Sequence, residues 1–228
     1  MSGQGQEQGK GKKLVFVGET GVGKTCIIAS FTEGKYEQNP GSTVGANYAT
    51  KTIEIPELKQ YLTFDIWDTA GQEKYKSLAR IFFQGAKMAV LVYDITRRES
   101  FDSMKNQWYK ELKEHGEPDI TIAIAGNKSD LYDDENVPEQ EAREFAKSVG
   151  AIFCLTSAQD NKGIEELFRN IGKAFLDPNT KKNKPVTSNQ KNNQEPKPKE
   201  QEEKENIKIN KKEVKKKNEE RKKKRGFC

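Results

Sequence analysis

Three short, almost wholly apolar runs constrain this chain most: Met88 to Tyr93 (MAVLVY), Thr121 to Ala125 (TIAIA) and Ala151 to Leu155 (AIFCL). Each has the length of a strand and lacks the in-out alternation of a half-exposed one, which is the pattern of parallel strands covered on both faces. Around them, Ser100 to His115, Pro138 to Val149 and Gly163 to Leu176 carry apolar residues at helical spacing, for instance Ile164, Leu167, Phe168, Ile171 and Phe175. Strand and helix in alternation predict an α/β fold, a mostly parallel sheet with helices on both faces and ligands at the carboxyl ends of the strands. Lys13 to Val17 (KLVFV) reads as a further strand. Asn47 to Ile55 and Gln60 to Trp67 read as an antiparallel hairpin turning near Pro56, with Leu62, Phe64 and Ile66 on its core face.

The apolar residues are confined to part of the 228-residue chain. Residues 1–12 are rich in Gly and Gln and are expected to be disordered, residues 13–176 form the expected domain, and residues 177–228 read as a disordered tail. The tail holds 18 Lys/Arg against 9 Asp/Glu, so the overall charge of +5 leaves 5 − 9 = −4 for everything before it. No apolar run approaches the roughly 18 residues of a spanning helix, and the start lacks the apolar centre of a signal peptide, so a cytoplasmic protein is expected.

The chemistry begins at GETGVGKT, which follows the first strand: Gly18, Glu19, Thr20, Gly21, Val22, Gly23, Lys24 and Thr25. The spacing fits a loop whose backbone N–H groups point inward around a diphosphate, with Lys24 on the outer phosphates and the Thr25 hydroxyl on Mg²⁺. The helix expected from Lys24, closed by Gly34, adds the positive end of its dipole. Asp68 ends a strand where a carboxylate can hold Mg²⁺ through water, and it would serve equally as the cap of a helix over 69–84. Asn127, Lys128, Ser129 and Asp130 (NKSD) follow the TIAIA strand. A carboxylate at Asp130 can accept two hydrogen bonds from the N1–H and amine of guanine, whereas adenine leaves it unpaired; a plain Asn/Ser/Asp turn is the alternative for this segment alone. Thr156 to Gln159 (TSAQ) follows the last strand, and the backbone N–H groups of Ser157 and Ala158 are placed to meet the guanine carbonyl.

Taken together, GETGVGKT, DTAGQE (Asp68 to Glu73), NKSD and TSA in this order resemble the small Ras-type GTPases. The segments TFDIWDTAGQEKYKSLA (Thr63 to Ala79), FFQGA (Phe82 to Ala86) and LVYDIT (Leu91 to Thr96) are most similar to the Rab family. The resemblance spans Lys13 to Leu176. It implies a phosphate-loop GTPase fold with six strands, one antiparallel, and five helices. It implies a slow GTPase, converting GTP and water to GDP and phosphate, that acts as a switch in vesicular traffic. By the same resemblance, Cys26 follows the phosphate loop at the nucleotide, Tyr36 lies beside the guanine, and Thr43 binds Mg²⁺ and the γ-phosphate. Gly71 contacts the γ-phosphate, Gln72 orients the attacking water, and Tyr48, Trp67 and Phe82 form the aromatic triad that meets effectors.

Some positions depart from the family. Val44, Gly45, Ala46, Asn47 and Tyr48 stand where Rab proteins usually carry I-G-V-D-F, and the Gly-Ala pair is nearer the endosomal branch. Gln159 replaces a usual lysine, and Thr20 stands at a variable position of the phosphate loop. The tail ends in Lys211 to Arg225, with ten basic and three acidic residues, before Gly226, Phe227 and Cys228. A basic segment beside a terminal cysteine is what a lipid-anchored protein on an anionic membrane carries. Cys228 is alone and last, so its prenylation rests on the family resemblance. The partners so implied are an exchange factor, a GTPase-activating protein, effectors and a prenyl-binding escort protein, with cycling onto the cytosolic face of an intracellular membrane. Two other classes compete. A nucleotide kinase would leave NKSD and DTAGQE unexplained. A nucleic-acid-binding tail is disfavoured by its interleaved glutamates and scarcity of aromatics.

Overall fold

The computed structural model describes residues 10–36, 43, 46–69 and 81–177. Among them, six strands form one sheet in the order β2-β3-β1-β4-β5-β6. These are β1 (Lys12–Val17), β2 (Ala46–Ile55), β3 (Gln60–Thr69), β4 (Met88–Asp94), β5 (Thr121–Asn127) and β6 (Ile152–Thr156). Neighbouring strands are parallel except for the antiparallel pair β2 and β3, the expected hairpin. The helices are α1 (Lys24–Glu33), α2 (Arg98–Ser103), α3 (Tyr109–His115), α4 (Glu139–Ser148) and α5 (Ile164–Leu176). Residues 81–83 are helical as well.

Alternating side chains of β1 enter two cores. Leu14 and Phe16 join Ile27, Phe31, Phe64, Phe168 and Ile171 on the face covered by α1 and α5. Val15 and Val17 join Phe83, Tyr93, Phe101 and Trp108 on the other. Every residue of β4 and β5 is buried, which explains their unbroken apolar runs. Phe31 stacks on Phe168 with ring centroids 3.5 Å apart, and Phe64 meets the same ring edge-on at 5.7 Å. These contacts fix α1 and α5 against the sheet, and the loop Gly18 to Gly23 is the segment that enters α1.

Two expectations need correction. The single helix expected from Ser100 to His115 is α2 and α3 with a π-helical turn, Met104–Trp108, between them. Phe101, Met104, Trp108 and Leu112 still all point into the core, so the apolar spacing alone does not reveal the widened turn. The other correction concerns strand ends. β3 runs on through Asp68 and Thr69, β4 through Asp94 and β5 through Asn127. Asp68 lies at the end of β3, the first of its two readings, and not at a helix cap; the helix expected over 69–84 falls mostly outside the described residues.

Candidate functional site

The loop Gly18 to Gly23 leaves β1 and turns into α1 at the carboxyl edge of the sheet. Gly21 and Gly23 have φ of +77° and +94°, a region in which a side chain is strained. Lys24 opens α1 and folds back, donating from Nζ to the carbonyls of Gly18 and Glu19, each at 2.9 Å. It is 5 % exposed. Burial lowers its pKa to about 8, against the raising influence of Asp68 and Glu19. An anionic ligand at this ammonium reverses that penalty, which is what a phosphate-binding lysine requires.

Thr25, the next residue, donates from its hydroxyl to Asp68 Oδ2 at 2.7 Å. The Thr43 hydroxyl lies 3.0 Å from the Thr25 hydroxyl and 3.5 Å from the same carboxylate oxygen. Three oxygens from three separate segments thus meet at one point. Asp68 is 2 % exposed, and its Oδ1 is buried with no hydrogen-bond partner among the described residues. Burial raises its pKa, opposed by Thr25, Lys24 and Thr43. An oxygen-only donor set with a spare buried carboxylate oxygen fits Mg²⁺, which takes one or two protein ligands and fills the rest with water and phosphate.

At the other end of the edge, Asp130 accepts a hydrogen bond from the Ser157 hydroxyl at 2.6 Å. Ser157 Oγ in turn accepts from the backbone N–H of Asp160 at 3.0 Å. This chain fixes one oxygen of the Asp130 carboxylate. Tyr36 stands nearby: burial raises its pKa first, and the charges of Cys26 and Asp130 add to the effect. Cys26 is half-buried at the start of α1, Ala158 is buried, and Gln159 and Thr20 are exposed.

Residues 13–177 match the Ras family. The chain belongs to that family, in its Rab branch. The human Ras-related protein Rab-31 is 47 % identical over 169 residues, covering 73 % of this chain and 85 % of the relative. Mouse Rab-31 is 48 % identical over 162 residues, 71 % and 81 % of the two chains. Human Rab-22A is 45 % identical over 174 residues, 76 % and 87 % respectively. This Rab protein is thus a GTPase: it binds guanine nucleotide, hydrolyses GTP to GDP and serves as a GTP-binding switch in membrane traffic.

Within the Rab fold the site contains a row of polar contacts that motif reading did not single out. Asp94, Asn127 and Thr156 are directly opposite one another across β4, β5 and β6. The Asn127 amide donates to the Val22 carbonyl at 2.8 Å, and its oxygen accepts from Thr156 Oγ1 at 3.1 Å. At 2 % exposure, Asn127 ties the loop Gly18 to Gly23 to the end of β6, a positioning task beyond the nucleotide contact expected for it. Asp94 pairs with Lys128 Nζ at 2.7 Å, and its Oδ1 accepts from the backbone and hydroxyl of Thr96. Only the polar residues closing a fully apolar strand hinted at this row.

Tyr48 and Trp67 lie opposite each other in β2 and β3, with ring centroids 5.6 Å apart in an edge-on contact. Phe82 lies 6.4 Å from Trp67. Tyr48 is 57 % exposed and donates its hydroxyl to Asp65 Oδ1 at 2.7 Å. Lys13 Nζ stands 5.0 Å above the Trp67 ring. The three aromatics therefore form one continuous surface. Gly71, Gln72, Val44, Gly45 and Cys228 lie outside the described residues.

Proposed function

We propose that the guanine nucleotide of this Rab protein lies along the carboxyl edge of the sheet, from Lys24 at the phosphates to Asp130 at the base. The meeting of Thr25, Thr43 and Asp68 beside Lys24 carries this reading. Backbone N–H groups of Gly18 to Cys26 surround the phosphates, and Lys24 neutralises the outer ones. Thr25 and Thr43 hold Mg²⁺ directly and Asp68 holds it through water; the ion, when bound, offsets charge on the phosphate oxygens. Asp130 reads the guanine edge, Ser157 holds that carboxylate in place, and Ala158 offers its N–H to the guanine carbonyl. Asn127 and Lys128 brace the loop, and Tyr36 covers the base.

Gln72 orients the attacking water and Gly71 follows the γ-phosphate. With no cationic finger assigned in the site, turnover is slow, on the order of 10⁻⁴ s⁻¹, and a GTPase-activating protein raises it by up to about 10⁵. The γ-phosphate orders Thr43 and Gly71, and its loss releases them, so partners distinguish the two states. Gln72→Leu tests this assignment. GTP binding is expected to stay intact while single-turnover hydrolysis falls by at least about tenfold. Unchanged hydrolysis removes Gln72 from the mechanism.

Effectors meet the surface of Tyr48, Trp67 and Phe82 in the GTP state, and an exchange factor resets the switch. Among the described residues, no helix is long and apolar enough to cross a membrane. Attachment is assigned to the tail: Lys211 to Arg225 supply attraction to anionic lipid and Cys228 a prenyl group, the pair of signals that stable anchoring takes. An escort protein shields that group while the protein cycles between cytoplasm and the cytosolic face of an endosomal membrane. The C-terminal peptide from the native source is expected to carry a geranylgeranyl mass increment on Cys228. An unmodified thiol in intact-mass spectra excludes the lipid anchor.

A further inference from the structure

GETGVGKT contains one carboxylate, Glu19, in a loop whose task is to hold polyanions. A negative side chain there repels the phosphates unless another group offsets it. The structure supplies one from a distant segment: the guanidinium of Arg97, in the turn between β4 and α2. Its Nη2 donates to the Thr20 carbonyl at 3.1 Å and lies 3.5 Å from Glu19 Oε2. Its Nε stands 3.6 Å from Asp94 Oδ2, and Asp94 is 1 % exposed. Asp94 is itself held by Lys128 and Thr96, so the guanidinium is anchored at its rear to a buried carboxylate. The front of the same group faces the phosphate loop. Glu19 and Arg97 also act on Lys24 in opposite senses, the one raising and the other lowering its pKa.

We propose that Arg97 is a positioning residue for nucleotide retention: by pairing with Glu19 and the Thr20 carbonyl it cancels the loop's one negative side chain and prolongs the residence of GDP and GTP. Anchorage to Asp94, shared with Lys128, makes the same carboxylate brace both the phosphate end and the base end of the site. The inference rests on the assignment of the phosphate loop made above. Neither Arg97 nor Glu19 is fully buried, with side chains 42 % and 34 % exposed, so the effect is modest and sensitive to salt.

The test is the release rate of a fluorescent GDP from full-length protein, chased with excess unlabelled GDP in Mg²⁺ buffer. Arg97→Gln is expected to release GDP about fivefold faster, with Arg97→Lys intermediate. Arg97→Gln combined with Glu19→Gln is expected to return within twofold of wild type, because the repelling charge has gone too. The excess rate of Arg97→Gln should shrink as salt is raised. A purely structural role gives neither the rescue nor the salt response. Release by Arg97→Gln at the wild-type rate, or a double variant as fast as the single one, overturns the proposal. Lys24→Ala is the reference. Wild-type retention in that variant removes the assignment of the phosphate loop itself, whereas its loss beside an unaffected Arg97→Gln removes the role of Arg97 alone.

Discussion

Asp130→Asn is expected to turn a guanine site into a xanthine site. The carboxylate has two acceptors for the two donors on the guanine edge, and an amide has one acceptor and one donor. Guanine then meets a donor with a donor. Xanthine carries a carbonyl where guanine carries its amine, so its N1–H and carbonyl match the amide. Sites built on such polar matching discriminate by about 10⁴ to 10⁵, because the mismatched ligand leaves buried groups unpaired. Affinity for GTP should fall by at least about a hundredfold and xanthosine triphosphate should win in competition binding. The Ser157 hydroxyl donates to Asp130 Oδ1, an oxygen that asparagine keeps, so the loop should stay in place. Continued preference for GTP would show that Asp130 is not the base reader.

The second large effect is on stability. A Cβ built on Gly23 lies 2.2 Å from Asn127 Nδ2, and φ there is +94°. Gly23→Ala therefore strains the backbone and displaces an amide whose two ends hold Val22 and Thr156. Backbone strain and the two disturbed buried bonds together cost about 4 kcal/mol. The melting temperature should drop by roughly 10 °C in calorimetry. Gly21→Ala is the control: φ is +77°, but nothing lies within 4 Å of its Cβ. It should show the strain without the clash. If the two variants melt together, the Asn127 contact carries no energetic weight.

The strands were legible because burial on both faces leaves a strand no choice but apolar residues, as in MAVLVY and TIAIA. Their ends were not. The apolar runs stop at Trp67, Tyr93 and Ala125, yet each ladder continues to Asp68, Asp94 and Asn127, because the neighbouring strand supplies the backbone partners that composition cannot display. The π-helical turn escaped for a related reason: Phe101, Met104, Trp108 and Leu112 satisfy a helical repeat whether or not one turn is widened. In the site, the phosphate loop, NKSD and TSAQ were readable as contiguous patterns. The bracing role of Thr156 and the part of Arg97 were not, since each acts through a contact set by strand order, across 29 positions for Thr156 to Asn127 and 77 for Arg97 to Thr20. A single polar residue at such a distance leaves no mark in local sequence.

Of the six strands described, β1 leaves the ribosome before the others, and it lies in the interior of the sheet. Leu14 is flanked by Ile66 on one side and Met88 on the other. Until β3 and β4 have been made, the strand that carries the phosphate loop has neither neighbour, and only α1 has emerged to cover one of its apolar faces. Strand pairings this far apart in sequence form slowly, since the intervening chain must first be closed into a loop. The growing chain therefore holds β1 without its two neighbours until β4 has emerged, and the nucleotide edge stays incomplete until Asp94 and its partners follow. Synthesis itself imposes an order on this molecule: an early strand is completed by two that come after it.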